Sequence, residues 1–255
     1  MGVKNEPGNF NIGYLFKFPP PPSPSRQGRG KLILRQVLII TKKDIPLHMA
    51  QYFRVHPANP QPRLITQAIA ILREGGIIVY PTDSCYALGC RIGDKEALER
   101  IRRIRLLDVR HNLTLMCRDL SELAIYAKVG NAAFRMMKSL TPGPYTFLLE
   151  ATRDVPRRLQ HPKRKTIGVR VPDNAVALAL LAAMAEPILS TSLILPEETL
   201  PLTDPEEINE RLGRQVDLVM DGGVCGLAPT TVIDLAEDQP LIVRQGKGRV
   251  PALAS

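Results

Sequence analysis

The chain of 255 residues is 44% hydrophobic and 23% charged, which excludes a collagen-like or wholly disordered protein and suffices for one large core or two small ones. Its 34 Lys and Arg against 25 Asp and Glu leave a net charge of +9, so an anionic partner such as nucleic acid, phosphate or a membrane surface has to be weighed. That charge is unevenly placed. Residues 1–48 carry Lys4, Lys17, Arg26, Arg29, Lys31, Arg35, Lys42 and Lys43 against Glu6 and Asp44, a net of +6, which leaves +3 for the remaining 207 residues.

The same basic segment holds Pro19-Pro20-Pro21-Pro22-Ser23-Pro24-Ser25, a run that resists helix and central strand because proline fixes φ and lacks an amide donor. Its apolar stretch, 32–40, is too short to span a membrane and is broken by Arg35 and Gln36. Three readings stay open: a targeting presequence, a basic RNA-binding arm, or sequence upstream of a true initiator at Met49 with no evolved structure. The last is our working expectation, and the folded domain is taken as 49–250.

Within the domain, Leu64, Ile65, Ala68, Ile69, Ile71 and Leu72 recur at helical spacing between Pro62 and Gly75-Gly76, predicting a helix and its stop. Ile77-Ile78-Val79-Tyr80 reads as a buried strand closed by Pro81, and a second strand over 86–92 should pair near it. Asp94 is placed to cap the next helix, with Ala97, Leu98, Ile101, Ile104 and Leu106 as its inner stripe and Glu99, Arg100, Arg102 and Arg103 outside it. Strands follow at 113–117, 145–150, 166–171 and 188–193, interspersed with helices at 121–127, 131–140 and 174–185. Asp204-Pro205-Glu206-Glu207 opens another helix in cap, proline, acid order, and strands at 217–220, 231–235 and 241–244 finish the pattern. Some strands follow strands directly, so the fold class is α/β with a single domain: a twisted mixed sheet flanked by helices.

Cys85, Cys90, Cys117 and Cys225 show no C-x-x-C pair and no histidine at a zinc-finger interval, so no metal site is expected. They read as small apolar residues of a reducing, cytoplasmic compartment, and Asn112-Leu113-Thr114 as a glycosylation sequon by spelling only. Phosphate loops of the Walker or dinucleotide type are missing, and His48, His56, His111 and His161 lack an evident catalytic partner. What recurs is Thr, Ser and Arg at strand ends: Thr82-Asp83-Ser84, Arg103-Ile104-Arg105, Thr166 through Arg170, Ser190-Thr191-Ser192, Thr230-Thr231 and Arg244. Hydroxyls and forked guanidinium donors at a sheet edge are suited to phosphate and carboxylate oxygens; singly, each is better read as a solvated surface group.

Taken in order, Tyr-Pro-Thr-Asp-Ser-x-Tyr-x-Leu-Gly at 80–89, Arg-Ile-Arg at 103–105, Thr-Pro-Gly-Pro-Tyr-Thr at 141–146, Thr-Ile-Gly-Val-Arg-Val-Pro at 166–172, Ser-Thr-Ser at 190–192, Thr-Thr-Val-Ile-Asp at 230–234 and Ile-Val-Arg-Gln-Gly at 242–246 resemble the threonylcarbamoyl-AMP synthase (YrdC/YciO-like) superfamily. The YciO-type branch is the nearer one, through Pro-Thr-Asp-Ser, the run from His111 to Leu123, and Arg157-Arg158 with Lys163-Arg164-Lys165. The resemblance implies a YrdC-like fold whose positive concave face binds ATP, L-threonine and bicarbonate with Mg2+ and yields threonylcarbamoyl-AMP for tRNA modification. It implies that Thr82, Cys117, Arg170, Ser190 and Thr230 border the threonine, and that Arg103, Arg105, Thr166, Ser192 and Arg244 hold the nucleotide. No side-chain nucleophile is required, since positioning and charge stabilisation suffice when a carbamate attacks the α-phosphate.

Three positions depart from the synthase pattern: Arg103 stands for a lysine, Ile194 for an asparagine, and Cys117 for a histidine. Isoleucine removes an amide donor and acceptor, and arginine is no compact point charge. These departures predict weak or lost synthesis. The competing class is a double-stranded RNA or tRNA-binding module without catalysis, contacting phosphates through Arg100, Arg102, Arg103, Arg105 and Arg110 in one run and Arg157, Arg158, Lys163, Arg164 and Lys165 in another. With no Trp and 5% aromatics, base stacking is not expected. The first run is equally readable as a solvated face neutralised by Glu96 and Glu99.

Overall fold

A computed structural model of the chain describes residues 49–250, apart from 109, 110, 112 and 238. The expectations for residues 1–48, for Arg110 and for the Asn112 sequon lie outside the described residues. In chain order the elements are β1 (Gln51–Arg54), α1 (Pro62–Arg73), β2 (Ile78–Tyr80), β3 (Ala87–Arg91), α2 (Lys95–Arg105), β4 (Thr114–Met116), α3 (Leu120–Tyr126), α4 (Asn131–Leu140), β5 (Tyr145–Glu150), β6 (Thr166–Arg170), α5 (Ala175–Met184), β7 (Ile188–Ser192), α6 (Pro205–Leu212), β8 (Leu218–Asp221), β9 (Thr231–Asp234) and β10 (Leu241–Arg244). A single 3-10 turn lies at Arg157–Leu159.

The ten strands form one sheet in the order β1-β8-β2-β3-β7-β4-β6-β5-β9-β10. Pairing is parallel for β1·β8, β2·β8, β4·β6 and β5·β9 and antiparallel for β2·β3, β3·β7, β4·β7, β5·β6 and β9·β10, so the sheet is mixed, as strand-after-strand stretches of the sequence predict. Among the described residues no helix is long and apolar enough to cross a membrane.

Two cores occupy the two faces. On one, α2, α3, α4 and α6 bury Leu98, Ile101, Leu123, Met137, Ile208 and Leu212 against Ile77, Val79, Leu115, Phe147, Ile167 and Val169 of the sheet. On the other, Ile65, Ile69 and Leu72 of α1 and Val176, Leu180 and Met184 of α5 cover Ile78, Tyr80, Ala87, Met116, Ile188 and Leu218. Each fully buried Leu or Ile of this kind contributes on the order of 1.5–3 kcal/mol. The second pair of helices reaches only as far as Ala87 and Met116. From there across β4, β6, β5 and β9, no helix among the described residues covers the sheet face, and the strand alternation that aims Leu115, Phe147 and Val169 into the first core aims Thr114, Thr146 and Arg170 onto this face.

Local sequence explains the ends of α2, the helix that matters most for the site. Asp94 Oδ1 accepts from the Ala97 amide at 2.9 Å, the cap that the sequence predicts, worth about 1 kcal/mol. Its stripe of Ala97, Leu98, Ile101 and Ile104 is buried, but Leu106 is 74% exposed. Leu106 takes φ 47° as the C-cap residue and bonds back to the Arg103 carbonyl, which turns its side chain out of the stripe and ends the helix just after Arg105. β1 escaped prediction: Gln-Tyr-Phe-Arg at the sheet edge has exposed ends and a half-buried middle, with no alternation to announce it.

Candidate functional site

The open sheet face forms a cavity of about 330 Å³. Its floor comes from alternate residues of neighbouring strands: Thr114 and Met116 of β4, Thr146 and Leu148 of β5, Arg170 of β6, Ser190 and Ser192 of β7, and Val232 of β9. Arg105 enters from the end of α2, Arg244 from β10, Thr82 and Cys85 from the loop after β2, and His111 from the segment joining α2 to β4. No Asp or Glu side chain is among the described residues that line it. Gly168 lets β4 and β6 approach closely beneath the site, because a Cβ there would stand 2.8 Å from the Leu113 carbonyl oxygen.

The hydroxyls are fixed by their own bonds. Thr82 Oγ1 donates to the Cys85 carbonyl at 2.6 Å and accepts from the Ser84 amide at 3.2 Å, closing a tight turn after Pro81. Ser190 Oγ accepts from the buried Tyr80 hydroxyl at 2.9 Å and donates to the Leu88 carbonyl at 3.0 Å; burial pushes the Tyr80 phenol up to about 12, keeping it a donor at neutral pH. Thr146 and Thr230 share a hydrogen bond of 2.9 Å across β5 and β9.

The guanidinium groups are held differently. Arg170 is 6% exposed at its side chain and paired with Asp83, itself 9% exposed, through Nη2 and Oδ1. Arg170 Nε and Asp83 Oδ2 have no hydrogen-bond partner among the described residues. Arg105 donates from Nη1 to the Ile194 carbonyl, and its buried Nε has no partner among the described residues. Arg244 reaches Thr230, donating from Nε and Nη2 to the carbonyl at 3.2 and 2.9 Å. Desolvation, with Arg244 adding to it, brings Arg105 down to about 10; desolvation also lowers Arg244. Among the described residues these two cations hydrogen-bond only to neutral oxygens, in a cavity that no carboxylate lines, an electrostatic setting that favours negative charge.

Of the residues expected from sequence, Thr82, Arg105, Arg170, Ser190, Ser192, Thr230 and Arg244 come together around this cavity. Cys117 does not: one residue past Met116 on the alternating strand, it faces the first core, with Sγ toward the Leu115 carbonyl at 3.7 Å and its thiol pushed well up by burial. Arg103 also lies elsewhere, exposed on α2 with Nε donating to the Glu99 carbonyl, because two helical positions turn it away from Arg105. Thr166 lies two pairs of positions along β6 from Arg170, buried, with a hydroxyl that has no partner among the described residues. His111, Thr114, Met116 and Thr146 line the cavity without having been singled out. For the two threonines and Met116 the signal was available in the strand alternation.

The two basic runs differ sharply. Arg100 is paired with Asp217 at 2.9 Å and Arg102 with Glu99 at 2.8 Å. In the second run Arg158 donates to the Gly93 carbonyl, Arg164 pairs with Asp234, and Lys165 Nζ donates to the Pro162 carbonyl at 3.1 Å. Arg157 and Lys163 are exposed, with no side-chain partner among the described residues.

Mixed-sheet topology and a cation-lined, hydroxyl-rich cavity on one face together define the class: an α/β domain with a basic, hydroxyl-rich cavity on its sheet. Residues 70–246 match the family model Sua5_yciO_yrdC, described as telomere recombination. The chain is 62% identical over 202 residues to the uncharacterized protein YciO of Escherichia coli K12, covering 79% of this chain and 98% of that one, and the YciO crystal structure superposes with a TM-score of 0.78 over 80% of this chain and 98% of that one. A threonylcarbamoyl-AMP synthase of Chromobacterium violaceum is 39% identical over 137 residues, 53% of this chain and 70% of that one. The Pyrococcus abyssi Sua5 structure complexed with L-threonine aligns at 27% identity and TM-score 0.71, over 76% of this chain and 57% of that one. The chain belongs to the Sua5/YciO/YrdC family, and its fold is that of YciO and of the YrdC-like domain of Sua5.

Proposed function

We propose that the cavity binds ATP or AMP, that the domain also binds RNA, and that synthesis of threonylcarbamoyl-AMP from ATP, L-threonine and bicarbonate is retained only weakly. The observation that carries this reading is the convergence of Arg105, Arg170 and Arg244 with Thr82, Ser190, Ser192 and Thr230 on one cavity that no carboxylate lines. The P. abyssi relative complexed with L-threonine supports an amino acid in such a face, and the synthase relatives support the reaction class.

In this reading Thr82, Arg170, Ser190 and Thr230 hold the threonine carbamate, while Arg105, Ser192 and Arg244 hold the nucleotide phosphates. A carbamate oxygen attacks the α-phosphorus and pyrophosphate leaves. Fixed guanidinium donors stabilise the charge that develops on the phosphate oxygens, with no covalent intermediate. Among the described residues no group of three or more His, Cys, Asp or Glu could hold a metal, so Mg2+ enters bound to the triphosphate oxygens of its substrate. The four free cysteines fit a reducing, cytoplasmic setting.

Weak synthesis follows from two placements. Ile194 offers Arg105 a backbone carbonyl but offers the ligand no amide, and Arg103 stands outside the cavity. The same placements favour a second reading, a binding module without catalysis. RNA contact is assigned to phosphates and to the second basic run, where Arg157 and Lys163 are exposed and unpaired among the described residues.

Incubating the full chain with ATP, L-threonine, bicarbonate and Mg2+ separates the two. Slow formation of threonylcarbamoyl-AMP and pyrophosphate, abolished in Arg105→Ala and Ser192→Ala, supports the synthase. Background product with measurable RNA retention leaves the module.

A further inference from the structure

His111, which lies between α2 and β4 in the chain, lines the cavity and is the one imidazole among the described lining residues. Its backbone amide bonds to the Asp108 carbonyl at 2.9 Å. From α2 and from β10 the charged groups bearing on that ring are Arg105 and Arg244. Arg170 lies deeper on β6, already paired with Asp83, and Cys85 is the remaining titratable group of the lining. A histidine that shares one cavity lining with two guanidinium groups, and with no carboxylate among the described lining residues, is an arrangement without an anionic counterpart. A divalent anion supplies that counterpart.

The geometry points to His111 as the third cation of an anion cradle with Arg105 and Arg244, taking up a proton as a phosphate group binds and so making affinity rise as the pH falls. This rests on the reading of the cavity as a phosphate site and extends it to a residue and a regulation: binding coupled to proton uptake. The electrostatics agree with the geometry. Desolvation first, then Arg105 and Arg244, hold the imidazole below its ordinary value, so it is neutral at pH 7 in the empty protein. A phosphate cancels the two guanidinium charges and adds an attraction of its own, and both effects favour imidazolium.

The test uses the full chain and two probes. Sulfate does not titrate between pH 5 and 9, so ring resonances of His111, assigned by their loss in His111→Gln, report the protein's own proton. Saturating sulfate should move the His111 midpoint up by about one pH unit or more, as an opposite charge at short range does. ATP affinity should then rise between pH 8 and pH 6 by more in the wild type than in His111→Gln, where only the nucleotide's own ionisation remains. His111→Lys, charged throughout, should bind tightly at pH 8 with the flatter profile. A His111 midpoint unmoved by saturating sulfate and ATP, or identical pH profiles in wild type and His111→Gln, would overturn the cradle while leaving nucleotide binding in place. Sulfate moving His111 without any ATP binding would instead reject the nucleotide reading and keep the anion cradle.

Discussion

Arg244 folds back over Thr230, donating from Nη2 to its carbonyl at 2.9 Å and to its hydroxyl at 3.2 Å, while that hydroxyl is also bonded to Thr146 at 2.9 Å. The terminal strand is thereby fastened to the cavity floor through one residue. Thr230→Val keeps the shape and the carbonyl but removes the shared hydroxyl, leaving Thr146 and one guanidinium N–H short of a partner. A stability loss of about 1–3 kcal/mol is expected from denaturant unfolding.

Asp83 and Arg170 form the buried ion pair of the site, and each has one atom without a partner. Removing the carboxylate leaves a cation that is 6% exposed with no counter-charge. Asp83→Ala should therefore destabilise the protein by about 3–5 kcal/mol. Urea midpoints with unchanged slope would record this as stability rather than a changed unfolded state.

Much of this frame was legible in the sequence. Strands 145–150 and 241–244 and the helix 131–140 were bounded by their own apolar spacing and are found with those limits. Seven of the residues named from sequence line the cavity; singly each read as a solvated surface group, and it was their order along the chain, through the family resemblance, that marked them out. Cys117 shows that a motif locates a residue along a strand but not on a face: alternation from Leu115 turns it into the core. His111 was passed over because it sits in a connection, where no periodicity tells which way a ring points. Arg103 and Arg105 look equivalent in a motif, yet a helix separates them by two positions and sends only the second into the cavity.

Ile194 lines the cavity and holds Arg105 through its carbonyl. Ile194→Asn adds a donor and an acceptor at that wall without disturbing the backbone bond. Product formation from ATP, threonine and bicarbonate should rise about tenfold, the scale of one charge-assisted hydrogen bond of about 1.5 kcal/mol. An unchanged rate in a folded variant would remove this position from the account of weak synthesis.

RNA binding should discriminate between the basic runs. Arg100 and Arg102 already face Asp217 and Glu99, whereas Arg157 and Lys163 face solvent. The double variant Arg157→Ala with Lys163→Ala should weaken RNA retention and flatten its salt dependence by a slope of about 1–2, and Arg100→Ala should leave that slope unchanged. Filter binding across a salt series provides both numbers.

Stability should also carry the signature of His111. Its folded value lies below the ordinary one near 6.5, so as the pH falls through that range the unfolded chain binds more protons than the folded one. The contribution is present above the unfolded value and is lost on acidification. His111→Gln should accordingly lose less stability than the wild type between pH 7 and pH 5, measured as the difference in urea midpoints.

The central claim, that the cavity is a nucleotide site, is tested most directly by equilibrium titration of the full chain with ATP in the presence of Mg2+. Saturable one-site binding is predicted for the wild type and for Arg157→Ala, weakened at least tenfold in Arg105→Ala and Arg244→Ala. Absence of saturable binding in the wild type, or equal affinity in all four proteins, would contradict it.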